Sequence, residues 1–502
     1  MKRVTLLVLC AASICSAQSQ TGSSYADFKK DLHKEYDNFL RDAKNDYASF
    51  RDKVNREYAT FLADSNWVPS KPDAPVQKPI DRSVAPRPLT PLPQSAPMPQ
   101  SRPLPIDNVV SPPPVPDAPV PSEPFDYKGR PGQVAERSVK LFGTDFNVNV
   151  ANDHSISLGR LDHASIGKAW QTLSSRQSLD ATIGSLLRLR DDRDLCDWAY
   201  YCLVRETGAM LHGAGSNEEA LFTAYVMNQS GYTTRLALDA PAGRLYAMPG
   251  TENLIFDQPY FPVGDVKFYP FAKLGSVQMV SADYPGTRPL SMLVDKLPRL
   301  ANRPTAAKSL TVKHYPEVKI DYECNANLLE FFNGYPASAL PGNSRTKWAY
   351  YAVTPLSEPI RKAIYPTLKK ALEGKSQRDA ANLLMDFCES FPYAPDNDVW
   401  GYDRAYFADE TLNYQNGDCE DHAILFVRLV RDLMGLDVAL IYFPNHLAAA
   451  VAFTDDVPGD YINYNSRRWT VCDPTIFYSG VGHIMDGCDP TKASLIPLSG
   501  LR

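Results

Sequence analysis

Of the 42 prolines in this 502-residue chain, 19 fall between Pro69 and Pro124 and only 23 elsewhere. This clustering constrains the fold most, because proline fixes φ and has no N–H to give to a helix or a strand ladder. Residues 67–124, which end in PPPVPDAPVPSEP, are therefore expected to be extended and rich in polyproline II. Such a segment is a semi-rigid spacer of up to about 3.1 Å per residue. It separates a short N-terminal part from a long one, 125–502, of ordinary proline content. That longer part has room for two domains. The composition, 44% hydrophobic and 22% charged, is that of a globular protein. A net charge of −6 gives no reason to expect nucleic acid or an acidic membrane as partner.

The chain opens MKRVTLLVLCAASICSA, two basic residues and an apolar run followed by small residues. Residues 1–17 read as a secretory signal peptide cleaved after Ala17, with export to the periplasm, the cell surface or the medium. No later apolar stretch is long enough for a transmembrane segment. Lipidation at Cys15 is disfavoured, because Ile14 is a poor residue before a lipidated cysteine. Cys10 and Cys15 leave with the signal, so seven of the nine cysteines remain. Export permits disulfides, and an odd number leaves at least one thiol unpaired. Cys472 could pair with Cys488, and Cys196 with Cys202 only if that segment is not a regular helix.

Residues 18–66 repeat every eleven residues. Tyr25, Tyr36, Tyr47 and Tyr58 are each followed three residues on by Phe28, Phe39, Phe50 and Phe61, with Leu32, Ala43 and Val54 at a third position. Eleven residues in three turns keep these side chains in one stripe along a long helix. The stripe calls for burial against a second copy, the body of the protein or a partner. In 125–502, helical periodicity covers Leu179–Arg190, Leu195–Met210, Glu218–Gln229, Ile360–Leu372, Ala380–Phe391 and Glu420–Met434. Strand patterns cover Thr234–Leu238, Leu254–Phe256, Val438–Phe443, Leu447–Phe453, Tyr461–Tyr464 and Trp469–Cys472. Helices precede strands twice, which predicts two α+β units, 125–310 and 311–502.

The sharpest chemical signal is Gly417-Asp418-Cys419-Glu420-Asp421-His422 at the start of an apolar-periodic helix. It places Cys419 in the first turn, where free N–H groups and the helix dipole favour a thiolate. Glu420 and Asp421 suit the same helix end, and His422 and His483 are read as structural. His446 precedes the strand LAAAVAF, and Asp473 ends the strand WTVCD. A helix-borne Cys, a His on one strand and an Asp on the next, 27 residues apart each time, form a nucleophile, base and orienter set. No Cys/His spacing suggests a zinc site and no glycine-rich loop suggests a nucleotide, so no metal or cofactor is expected.

Over about Leu356 to Phe477 the chain resembles the catalytic core of the transglutaminase-like superfamily, whose fold is papain-like. YQNGDCEDHAILFVRLVRDLMGLDVALIYFPNHLAAAVAF and INYNSRRWTVCDPT carry the resemblance. It implies Cys419 as nucleophile, His446 as general base and acid, and Asp473 as the residue that holds the imidazole. It implies acyl-thioester chemistry on an amide: peptide hydrolysis, deamidation or transfer to an amine. Tyr414 or Gln415 resembles the group that helps hold the oxyanion. An offset of 202 lays Gly215-Ser216-Asn217 on Gly417-Asp418-Cys419 and Arg244-Leu245 on His446-Leu447, and a shorter loop sets Asp257 opposite Asp473. Asn217, Arg244 and Asp257 would then be the degenerate counterparts, and that unit catalytically dead, since an amide cannot attack and a guanidinium cannot act as base.

The expectation is an exported thiol enzyme, a transglutaminase-like cysteine peptidase, amidohydrolase, deamidase or acyltransferase, acting on a peptide or protein substrate. Its architecture would be two transglutaminase-like α+β domains preceded by the long helix and the Pro-rich linker. Self-association or docking would run through the Tyr25–Leu62 helix, as a coiled coil. The alternative is a non-catalytic peptide-binding or scaffold protein of the cell envelope.

Overall fold

A computed structural model describes residues 25–64, 66–80, 100–118, 132–476 and 479–498. The signal peptide expected over 1–17 lies outside the described residues, as does part of the Pro-rich segment. The chain divides into two compact units at Arg56/Glu57. The fold is mixed α and β, and no helix among the described residues is long and apolar enough to cross a membrane.

The eleven-residue repeat forms one helix, Tyr25–Ala63. Its stripe meets two different fates. Within the second unit, Tyr58 and Leu62 are buried, and the Tyr58 ring lies 4.9 Å from Trp170 and 5.2 Å from Tyr284. The last turn comes so close to the helix His163–Ser174 that a Cβ on Gly167 would sit 2.5 Å from the Ala59 carbonyl oxygen. In the first unit, Tyr36, Phe39 and Phe50 are 59%, 62% and 57% exposed. The side chains of Tyr25, Phe28, Leu32, Ala43 and Tyr47 lie outside the described residues.

Two six-stranded sheets organise the second unit. The first contains β1 (Trp67–Ser70), β3 (Thr234–Asp239), β4 (Arg244–Thr251), β5 (Phe261–Val263), β6 (Val266–Phe268) and β7 (Val277–Val280), in the order β1-β7-β3-β4-β6-β5. The second contains β2 (Arg102–Pro103), β8 (Asp437–Phe443), β9 (His446–Ala452), β10 (Asp460–Tyr464), β11 (Arg467–Cys472) and β12 (Ser494–Pro497), in the order β12-β8-β9-β11-β10-β2. Five strands correspond in sequence order, in neighbours and in antiparallel direction: β7-β3-β4-β6-β5 in one sheet, β12-β8-β9-β11-β10 in the other. Each sheet is preceded by a helix ending just before its first central strand, Asn217–Gln229 and Cys419–Met434. Both sheets belong to one compact unit with the described Pro-rich residues, where two domains beyond a spacer were expected.

The Pro-rich segment departs most from that expectation. Its described residues are strapped onto the sheets. β1 pairs with β7, while Arg102 and Leu104 donate their N–H groups to Gly459 and Tyr461, laying β2 along β10. A few residues on, Val110 N–H donates to Leu495 O and Leu495 N–H to Asn108 O, so the same segment reaches β12 at the opposite edge of the second sheet. The composition permits this because the prolines alternate with the donors: Pro103 and Pro105 face outward, and Leu104 and Ile106 enter the core beside Ala450, Trp469 and Leu495. An edge strand is where a missing N–H costs no ladder bond, and the strap covers edges that would otherwise be open.

The strap makes a prediction that a spacer does not. Leu104→Ala is expected to cost about 2–4 kcal/mol of stability by urea unfolding, in the range of buried leucine truncations. Pro103→Ala, on the outward face, should change it by no more than about 0.5 kcal/mol.

Candidate active site

Cys419 begins its helix because Asp418 caps it: the Asp418 carboxylate accepts the Glu420 N–H at 3.2 Å, and Asp421 reciprocates by accepting the Asp418 N–H at 3.2 Å. The other Asp421 oxygen accepts the Tyr406 N–H at 2.7 Å, fastening the preceding loop to the helix start. Gly417 has no alternative here, since a Cβ on it would sit 2.7 Å from that of Asp421. Asp421 is fully buried, so its role is this fastening rather than the solvent-facing dipole role that charge at a helix start suggests.

His446 opens β9 because Pro444 and Asn445 form a two-residue turn between the paired residues Phe443 and His446. Asn445 takes φ 66°, which asparagine tolerates, with proline before it as in a type II turn. β9 pairs with β11 through Ala449 and Cys472, and Asp473 follows directly. His446 Nε2 lies 2.6 Å from Asp473 Oδ2. The second Asp473 oxygen accepts the Thr475 N–H at 3.1 Å and its hydroxyl at 2.6 Å. A carboxylate so held fixes the imidazole proton on Nε2. Nδ1 is buried, and no described residue bonds to it, so it keeps its lone pair.

The main-chain N–H of Leu447, next to His446, lies near enough to the Cys419 sulfur to favour its thiolate form. All three side chains are buried, with Cys419 2% exposed, His446 3% and Asp473 1%. The thiol itself points to Glu420 Oε2, 3.5 Å away. The expected acidic thiol is not found. Burial, then Asp418 and Glu420, push Cys419 well above the ordinary thiol range, and the Leu447 N–H only partly opposes them. The helix dipole that favours a thiolate is outweighed by carboxylates that the same helix start collects.

Those carboxylates form a cluster that sequence reading missed. Oxygens of Asp396, Asp403 and Glu420 lie within 4.8 Å of one another, all buried. A hard cation could use such donors, but Lys347 Nζ already stands 3.2 Å from Asp403, and Lys78, from the Pro-rich strap, donates to the Asp403 carbonyl at 2.6 Å. Burial and the nearby Glu420 push Asp396 up to about 7. Asp418 and Asp421 are also raised by burial and by the neighbouring carboxylates. The aspartates lie far from Cys419 in sequence, in a stretch without periodicity, and the loop is drawn in by the Tyr406–Asp421 bond and by main-chain bonds of Pro392 and Ala394 with Gly417. His422, fully buried, is lowered to about 4 and stays neutral.

Tyr414 and Gln415 are directed elsewhere. Tyr414 Oη donates to Asn333 at 3.4 Å, and Gln415 Nε2 to Ser309 O at 3.3 Å and Tyr322 Oη at 3.4 Å. All seven cysteines among the described residues are free thiols, Cys472 and Cys488 included, so the odd count singles out none of them. Cys202 lies inside the regular helix Asp197–His212, the condition under which a bond to Cys196 fails.

In the first sheet, the Leu245 N–H donates to Asn217 Oδ1 at 2.9 Å, at the positions that the offset of 202 relates to Leu447 and Cys419. Helix start and strand start are thus joined by a hydrogen bond in the first sheet. Asp257 does not join them. It precedes β5, and it accepts the Lys78 N–H at 3.2 Å. Asp473 instead follows β11, so its topological counterpart falls after β6, near Pro270–Ala272; the offset reading passed over the β5-β6 hairpin.

Compared with known proteins, the chain matches no family model, no curated protein and no solved structure.

Two measurements follow from the electrostatics. A carboxyl raised on folding holds its proton more tightly in the folded chain, so stability falls as pH rises between the unfolded value near 4 and the folded value. For Asp396 that window ends at about 7. Asp396→Asn should therefore make the decline of the melting temperature between those pH values shallower. Glu420→Gln removes a negative neighbour from the thiol, and the pH profile of Cys419 alkylation, followed by mass spectrometry, should move to lower pH.

Proposed function

We propose that the protein is an exported thiol enzyme of transglutaminase-like type that acts on peptide or carboxamide bonds, with Cys419 as nucleophile. The observation that carries this reading is the buried His446–Asp473 bond, 2.6 Å long, which leaves Nδ1 as the basic nitrogen at the start of the strand whose next residue, Leu447, lies near the Cys419 sulfur. In the proposed reaction His446 Nδ1 takes the thiol proton as sulfur attacks the carbonyl carbon. The imidazolium formed is stabilised by Asp473, and it protonates the departing amine. Water, deprotonated by the same nitrogen, or a second amine then releases the acyl group from the thioester. Because burial and carboxylates disfavour a free thiolate, proton transfer and attack are coupled, and the resting thiol is protected from stray electrophiles.

The exposed Tyr36, Phe39 and Phe50 support a second role for the helix, as the surface through which two or more chains assemble. Changing all three to serine should convert a sedimenting oligomer of the full chain to a monomer; a wild-type monomer would remove this role.

Products of the wild-type chain incubated with a peptide mixture, read by mass spectrometry against Cys419→Ala, test the enzyme reading. Cleaved, deamidated or cross-linked products should fall by about a thousandfold or more in Cys419→Ala and His446→Ala. Asp473→Asn should lose less than either. Products that persist in Cys419→Ala would return the chain to the binding or scaffold class.

A further inference from the structure

A pocket of about 180 Å³ opens in the first helix-and-sheet unit over the positions that correspond to Cys419, His446 and Asp473 in the second. Its walls come from Gly215-Ser216 at the start of the Asn217 helix, from Arg244 and the next residues of β4, and from Pro270-Phe271-Ala272 after β6. A cavity of about 150 Å³ holds a benzene ring, so this one has room for a single residue.

Its polar groups differ in kind from those around Cys419. The Arg244 side chain is exposed and forms no ion pair or hydrogen bond among the described residues, and the Glu219 carboxylate is close enough to feel its charge. Arg205, on the facing helix, makes a half-exposed pair with Glu206 at 3.1 Å. Glu219, the one acidic residue in the lining, accepts the Gly215 N–H. Thr223 also lies in the wall, but its hydroxyl oxygen is fully buried beside Gly208 of the facing helix and is not open to the pocket. The aromatic walls are Tyr201, Tyr246 and Phe271.

We propose that this pocket binds the free carboxylate of an apolar residue, with Arg244 and Arg205 holding the carboxylate and the aromatic walls taking the side chain. A carboxylate suits guanidinium groups, and since Arg205 is offset by Glu206, the charge on offer is that of Arg244 beside Glu219. The site stands whether or not Cys419 is a nucleophile.

The test uses the full chain with Cys419→Ala, so that no turnover interferes, and follows binding of N-acetylphenylalanine, N-acetylphenylalaninamide and phenylalanine by saturation-transfer NMR. The acid is expected to bind about tenfold or more tightly than its amide, the difference one charge-assisted contact makes. Arg244→Ala, with an unchanged melting temperature, should erase that preference. Tighter binding of the acetylated acid than of phenylalanine assigns the pocket to peptide chain ends; the reverse assigns it to free amino acids, and both uphold the carboxylate. Equal binding of acid and amide, a preference that survives Arg244→Ala, or binding of neither compound would overturn it.

Discussion

The structure turns on one arrangement made twice, in which the start of a helix meets the start of a strand. In the first sheet Leu245 donates its N–H to the Asn217 amide oxygen, and in the second the Leu447 N–H lies near enough to the Cys419 sulfur to favour its thiolate form. Around that meeting point the two sheets keep the same order of five strands. In the second, Asp418, Glu420 and Asp421 lie within three residues of that point and are all buried. The consequence is electrostatic. A helix start that would lower a thiol pKa is overridden by burial and by these carboxylates, while Lys347 and Lys78 stand at Asp403, on its carboxylate and its main-chain carbonyl. The base opposite the sulfur is set by Asp473, which fixes the Nε2 proton and so frees Nδ1.

Lys78 connects this site to the Pro-rich segment. Residues that composition marks as a spacer bring a cation to Asp403 and an N–H to Asp257, and they cover edges of both sheets. The strap therefore links the two sheets to each other and to the loop that carries Asp396 and Asp403.

Helices and strands of the two sheets were legible where periodicity is strong. The Cys419 helix is expected from Glu420 and found from Cys419. The strand before His446 was expected over Val438–Phe443 and is found over Asp437–Phe443. The proximity of His446 and Asp473 was legible too, because two neighbouring antiparallel strands carry them. What could not be read was set by side-chain competition and topology. Alternation of Leu104 and Ile106 with prolines is a strand signal that proline content masks. The fate of the Cys419 thiol depends on Asp396 and Asp403, brought in by a loop with no period. Asp257 was matched to Asp473 by a shortened loop, and only the β5-β6 hairpin reveals that the chain has yet to make two strands at that point.

The central claim is that Cys419 carries the acyl group and His446 Nδ1 serves it. Acid quenching of the full chain during turnover of a peptide mixture, followed by mass spectrometry of its own peptides, tests this most directly. The account predicts an acyl mass on the peptide containing Cys419, labile to hydroxylamine and missing in His446→Ala. Product formed with no adduct on that peptide, or with the adduct on one of the other six thiols, would contradict it.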